Sequence, residues 1–402
     1  MQTNLIDKYR DTPEGQEAES ILRSCVHCGF CTATCPTYQL LSDELDGPRG
    51  RIYLMKQILE GQEVTEKTQL HLDRCLSCRS CETTCPSGVK YGRLVDIGRH
   101  IVEQQVKRSI GDRIMRKALR TVIPNPRIFA SVLRVGRVFK PVLPDSLKTK
   151  VPDMQEEQAW PVKAQQRKML VLDGCVQPLT QPNTNAATAR VLDKLGIQLL
   201  RASKAGCCGA VSHHLSAHVE GLDFMRRNID AWWPYVEQGV EAIVMTASGC
   251  GVVVKDYGHL LAHDSAYAEK AKKISALSKD IGEILTDEDL SLLSDAGKKQ
   301  KVAFHSPCTL QHGQKLSGVV EKILTKVGYQ LTDVFDSHLC CGSAGTFSIL
   351  QSELSQQLLE NKLNSLQSDL PEIIATANIG CQMHMATKAS VPVKHWIELL
   401  DS

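Results

Sequence analysis

The sequence has almost no net charge: 47 Lys and Arg stand against 45 Asp and Glu, a formal +2 over 402 residues. A chain so balanced projects no global field toward nucleic acid. Nor does any stretch approach the roughly 18 uninterrupted apolar residues that would cross a bilayer. The opening MQTNLIDKYRDTPEGQ is polar and mixed in charge, without the basic start and apolar core of a secretory signal. Neither a G-x-G-x-x-G loop nor a Walker A pattern occurs, so no phosphate-cradling turn is visible. These absences predict a soluble, cytoplasmic chain with no nucleic-acid partner. Its 42% hydrophobic and 23% charged residues are ordinary for a globular protein long enough for two or three domains.

What is abundant is cysteine, with 16 residues. In a reducing cytoplasm such a load reads as metal or redox chemistry rather than a disulfide framework. The positions fall into groups of eight, four and four with none left over. Cys25, Cys28, Cys31 and Cys35 lie in CVHCGFCTATCP, and Cys75, Cys78, Cys81 and Cys85 repeat the spacing in CLSCRSCETTCP. This is the C-x₂-C-x₂-C-x₃-C-P run that binds [4Fe–4S] clusters. Three thiolates two residues apart wrap one face of a cubane. The fourth, after a longer step and beside Pro36 or Pro86, points to the neighbouring cluster. One cluster is therefore expected on Cys25, Cys28, Cys31 and Cys85, and the other on Cys75, Cys78, Cys81 and Cys35. Two zinc sites would also use eight cysteines, but zinc motifs pair a C-x₂-C with a distant second pair. Helical apolar spacing in RIYLMKQIL at 51–59 and again at 94–106 predicts a mostly helical domain around these sites.

The other eight cysteines form an internal repeat. Cys175, Cys207 and Cys208 recur as Cys308, Cys340 and Cys341 at an offset of 133, and Cys250 recurs as Cys381 at 131. GCCGA at 206 returns as LCCGS at 339, and ASGCG at 247 returns as NIGCQ at 378. Apolar runs of strand length at 169–172, 243–246, 302–304 and 373–376 precede Cys175, Cys250, Cys308 and Cys381. Helical stretches are expected at 185–195, 224–236, 315–327 and 353–366. Alternating strand and helix implies a parallel α/β layer, with ligands beyond the carboxyl ends of the strands. Gly209 and Gly342 are expected to let the backbone approach a cluster closely. The plain alternative is buried core cysteine, which is common singly. A vicinal pair occurring twice in register with two partners does not resemble it.

Taken together, CVHCGFCTATCPTY at 25, DGPRGRIYLMKQ at 46, CETTCPSGV at 81 and SHLCCGSAGT at 337 make the chain resemble the iron–sulfur subunits of bacterial glycolate oxidases nearly end to end. It is more distantly similar to the iron–sulfur subunit of anaerobic glycerol-3-phosphate dehydrogenase and to the catalytic subunit of heterodisulfide reductase. The resemblance implies a flavoprotein partner that carries FAD and oxidises a 2-hydroxy acid, with electrons crossing this chain toward a quinone or another acceptor. It also implies a five-cysteine motif able to hold a non-cubane cluster. Here the first cysteine of the final pair is replaced by Ala247 in one repeat and Asn378 in the other, so each repeat keeps four thiolates. Four ligate a cubane outright, and at most one further cluster per repeat is expected. The second repeat is favoured, since Asn378 and His305 add polar groups. His305 is either a ligand or a hydrogen-bonded core residue.

The fold class expected is α+β and multidomain. A two-cluster helical ferredoxin domain at 1–105 is followed by a basic amphipathic linker at 106–165. Cys-Cys-Gly α/β repeats then occupy 166–297 and 298–402. The segment 107–150 sets twelve Lys or Arg against Asp112 and Asp145 and interleaves them with Ile110, Ile114, Leu119, Phe129, Leu133 and Phe139. It reads as a membrane-surface helix, a face for an acidic partner, or a solvated connector. A peripheral position on the inner face of the plasma membrane is expected. No room remains for a flavin domain, and no catalytic residue is assigned. The competing functions are an electron relay, a substrate-reducing subunit, and a redox sensor or metal store.

Overall fold

The computed structural model describes residues 1–144, 148, 151–293 and 300–401. Asp145 and Lys150 of the basic segment, and the expected boundary at 297/298, lie outside the described residues. The chain forms two compact units, one made of Met1–Met115 with His338–Lys362, the other of Arg116–Ser337 with Leu363–Ser402.

The first unit is built from helices. Thr12 caps Pro13–Ser24 by accepting the Gly15 N–H at 3.1 Å, and Thr65 caps Glu66–Asp73 by accepting that of Thr68 at 3.3 Å. Pro48–Leu59 turns Ile52, Met55 and Leu59 inward, at helical spacing, against Leu94, Val95, Ile101 and Val102 of Tyr91–Gln105. The two helices approach closely at Gly98, where a Cβ would stand 2.6 Å from the Met55 sulfur. Arg108 binds Asp73 at 2.6 Å and Asp112 at 3.1 Å, which fixes the start of the helix Ile110–Val122.

The second unit contains two four-stranded parallel sheets of matching topology. In the first, β1 (Arg167–Val171), β2 (Ile197–Arg201), β3 (Ile243–Met245) and β4 (Ser278–Asp280) lie in the order 2-1-3-4. In the second, β5 (Lys301–His305), β6 (Gln330–Leu331), β7 (Ile373–Thr376) and β8 (Val393–His395) lie in the order 6-5-7-8. Parallel pairing requires crossovers, and helices such as Asn183–Lys194 and His218–Glu237 supply them. Along β1, Met169 and Val171 join one core while Leu170 joins another on the opposite face. The first of these cores also takes Val302, Phe304, Ile373 and Ala375 from the second sheet, so the repeats share it.

Polar contacts tie the repeats together as well. Ser248 N–H donates to the Ala377 carbonyl at 3.0 Å, and the Ser248 and Thr309 hydroxyls are 2.7 Å apart. His395 donates through Nε2 to the Thr246 carbonyl at 2.8 Å while Nδ1 accepts from Ile397 N–H at 3.2 Å. Both ring nitrogens are therefore used by a neutral imidazole, and burial pushes the His395 pKa down to about 4.

The basic segment forms two helices, Ile110–Val122 and Pro126–Phe139. On the second, Ile128, Val132, Val135 and Phe139 are all exposed at helical spacing, Val135 by 57% and Phe139 by 55%. No helix among the described residues is long and apolar enough to cross a membrane.

Candidate metal centres

The two N-terminal cysteine runs fold alike. Each begins as a helix ends, with Cys25 N–H bonded to the Leu22 carbonyl and Cys75 N–H to that of Leu72. Each then winds through left-handed residues on both sides of its second cysteine: His27 (φ 56°) and Gly29 (φ 86°) around Cys28, Ser77 (φ 52°) and Arg79 (φ 59°) around Cys78. Alternating handedness curls a loop about a centre. Phe30–Ala33 then presents Cys31, and Ser80–Thr84 presents Cys81. Each short helix closes at the last cysteine, as Cys35 N–H meets the Thr32 carbonyl and Cys85 N–H that of Glu82, both at 3.2 Å.

Two cavities result. The first encloses about 440 Å³, including its open mouth, and is lined by Cys25, Cys28, Cys31 and Cys85 together with Cys81. The second, about 310 Å³ on the same measure, is lined by Cys35, Cys75, Cys78 and Cys81. Each therefore gathers three cysteines of one run and the last of the other. Neither wall contains a carboxylate or a histidine, apart from His27 in the first. Walls whose ligating groups are almost all cysteine sulfurs suit soft iron–sulfur chemistry.

Burial raises the Cys25 pKa and pushes Cys31 up to about 11, the nearby Cys25 charge adding to the latter. Cys81 is raised strongly by burial and then by Cys78, Cys75 and Cys35. Cys75 differs. Burial raises it too, but the Arg51 and Arg99 guanidiniums and the Tyr91 hydroxyl, 3.5 Å from its sulfur, outweigh that and hold it below the ordinary thiol value. Thiols grouped this way prefer to share a cation rather than each keep a proton.

In the first Cys-Cys-Gly repeat, all four cysteines meet beyond the carboxyl ends of the strands. Cys175 follows β1, Cys207 and Cys208 follow β2, and Cys250 lies in Ser248–Lys255 after β3. Their thiols form a hydrogen-bonded chain from Cys175 to Cys207 to Cys208 to Cys250. Cys207 accepts from both neighbours and is held well below the usual thiol pKa, while Cys175 and Cys208 are raised. A buried clamp holds the vicinal pair: Asn228 Nδ2 donates to the Cys207 carbonyl at 2.9 Å, and Tyr257 donates to that of Cys208 at 2.8 Å.

In the second repeat, Cys308 follows β5 and Cys381 follows β7, both buried beyond adjacent strand ends. His305, the last residue of β5, is buried with a ring nitrogen within 4.8 Å of the Cys381 sulfur. Asn378 accepts Gly249 N–H at 3.1 Å and donates to Cys381 at 3.5 Å. Ala247 offers only its backbone, accepting Cys250 N–H at 2.9 Å. Cys340 and Cys341 are buried in the segment that belongs to the first compact unit, where Gly342 N–H meets the Cys340 sulfur at 3.4 Å.

The glycines after the vicinal pairs are also needed for the packing of the chain itself. Gly209 has φ +90° and Gly342 φ +85°, and a Cβ would lie 2.6 Å from the Gly221 or Ser355 carbonyl oxygen. The close approach is to His218–Glu237 for Gly209 and to Ser352–Gln367 for Gly342. Sequence reasoning missed the Asn228–Tyr257 clamp, which has no local pattern. It also missed Arg51, although a cation four residues before Met55 and eight before Leu59, on an inward helix face, was a usable signal.

Residues 21–89 match the 4Fe-4S dicluster domain family, and residues 169–255 and 302–386 each match the cysteine-rich domain family. The chain is 58% identical over 402 residues to the glycolate oxidase iron–sulfur subunit of Escherichia coli K12, covering all of this chain and 98% of that one. It is 31% identical over 399 residues to the probable glycolate oxidase iron–sulfur subunit of Bacillus subtilis, covering 91% and 89% of the two chains. Lactate utilization protein A of Bacillus subtilis is 28% identical over 241 residues, which is 57% of this chain and 96% of that one.

Proposed function

The chain belongs to the family of glycolate oxidase iron–sulfur subunits, and from that premise we propose that it carries electrons from an FAD-containing partner that oxidises glycolate toward the quinone pool. The observation that supports this most is the pair of cysteine-lined cavities in which the two runs exchange their last members. One [4Fe–4S] cluster is assigned to Cys25, Cys28, Cys31 and Cys85, the other to Cys75, Cys78, Cys81 and Cys35. Such clusters supply one-electron transfer over a wide range of potentials. The residues of the chain ligate, bury and charge-balance, and none is assigned to substrate chemistry. At most one further cubane is expected in each Cys-Cys-Gly repeat: Cys308, Cys340, Cys341 and Cys381 are the candidates in the second, which Asn378 and His305 favour, and Cys175, Cys207, Cys208 and Cys250, whose thiols converge, are those in the first. The domain division at 105, 165 and 297 is retained, since the family matches fall inside three of its four parts.

We place the assembly on the inner face of the plasma membrane through the basic segment, whose exposed apolar stripe and flanking cations suit an anionic lipid surface. D-lactate and glycerol 3-phosphate are the alternative substrates of the partner. The relay is tested by adding the purified, iron-loaded chain to reduced flavoprotein subunits and following dye reduction. Acceleration that needs no substrate of the chain's own is expected. Unchanged dye reduction, or zinc in place of iron, would overturn the relay in favour of a store or sensor.

A further inference from the structure

Arg51 is 1% exposed and Asp46 fully buried, beside one cavity and not the other. The guanidinium lines the cavity of Cys35, Cys75, Cys78 and Cys81. Its Nε donates to the His71 carbonyl at 2.7 Å, its two terminal nitrogens to Thr37 Oγ1 at 3.2 and 3.3 Å, and one of them to Asp46 Oδ1 at 3.3 Å. Thr37 Oγ1 donates to the Asp46 carbonyl at 2.9 Å and lies 3.4 Å from the Cys35 sulfur. A single hydroxyl thus links Arg51 to a cavity cysteine. The carboxylate of Asp46 also takes Arg74 at 2.8 Å. Asp46 Oδ1 lies 3.1 Å from His71 Nδ1 as well, and the Arg74 side chain is 27% exposed, so of the two guanidiniums only that of Arg51 is held away from water. The other cavity has only Arg49, whose side chain is 38% exposed and already paired with Glu44 at 2.6 Å.

Reducing an iron–sulfur cluster adds one negative charge. A cation held where the effective dielectric is low stabilises that charge, whereas an exposed, paired one is screened. We propose that Arg51 raises the reduction potential of the centre on Cys35, Cys75, Cys78 and Cys81, with Asp46 as the opposing counter-charge; Arg99 at the Cys75 carbonyl and Arg79 on the cavity wall add to the same positive field. The inference rests on the two-cluster assignment above. It gives the two centres unequal control: one set from within the protein, the other open to solvent ions.

The test is a potentiometric titration of the intact chain, followed by low-temperature EPR, with iron and sulfide counted in each variant. The signal of this centre is the one abolished by Cys78→Ser. In Arg51→Gln with full iron, that signal should titrate at lower potential while the other stays in place, and Arg51→Lys should recover most of the shift. Asp46→Asn should move the same signal upward. A merely structural role predicts iron loss or shifts of one sign in all variants. The proposal is overturned by a loaded Arg51→Gln with both potentials unmoved, or by a downward shift in Asp46→Asn. If Arg51→Gln does not retain iron, the signs in Arg51→Lys and Asp46→Asn decide. Failure of the two-cluster assignment shows separately, as a wild-type chain without two signals and about eight irons.

Discussion

Cys35 is near Cys31 in sequence, but its sulfur faces the cavity of the second run. The consequence is specific. Cys35→Ser should abolish or distort the EPR signal that Cys78→Ser abolishes, and leave intact the one lost in Cys28→Ser. Loss of the Cys28-dependent signal instead would mean that each run ligates its own cluster. At this scale the ligands were legible because their spacing is itself the chemistry: a cubane accepts few arrangements of four thiolates. Their supports were not. Tyr91 and Arg99 reach Cys75 from a helix that begins 16 residues later, and Asn228 reaches Cys207 from 21 residues on. Contacts of that kind are made by folding and leave no local pattern.

Among the elements, strands β1, β3, β5 and β7 occupy the middle of their sheets and are each followed within five residues by a cysteine, and all four were visible as apolar runs. Strands buried on both faces read this way. The edge strands β2, β4, β6 and β8 were not anticipated; β6 has two residues and β4 and β8 three each, too short for a pattern to repeat. Helices were found with ends off by a few residues. Gly318, left-handed at φ +77°, delays the start of Val319–Lys326 by four residues from the expected 315. The helix Pro126–Phe139 carries the prediction at this scale. Replacing Val132 and Val135 with Ser should release the complex from vesicles containing anionic lipid, as should high salt or the combined neutralisation of Arg127 and Arg134. Arg120 is a weaker choice for such a test, because it already pairs with Glu220 at 3.2 Å. Binding that survives all three treatments would place the anchor on another surface or subunit.

For the molecule as a whole, the question is how far the iron extends. Anaerobically prepared full-length chain should hold more than the roughly eight irons that two cubanes account for. Cys208→Ser, at the middle of the thiol chain, should remove the excess attributable to the first repeat while both ferredoxin-type EPR signals persist. A count that stays near eight in the wild type would leave the four thiols structural. Such a variant is expected to stay folded, because the clamp from Asn228 and Tyr257 grips backbone carbonyls rather than the sulfur.

The core shared by the two sheets has a further consequence. Met169, Val171, Phe304 and Ile373 lie in one apolar cluster, so either sheet alone would present that surface to water. The C-terminal half is in effect a dimer whose protomers are joined in a single chain. Tethering converts an association between molecules into one within a molecule, at effective concentrations of millimolar order. The pairing of the repeats is therefore indifferent to dilution, and the two copies are free to diverge. One carries Ala247 and the other Asn378 at the corresponding position without either losing the neighbour that keeps it folded.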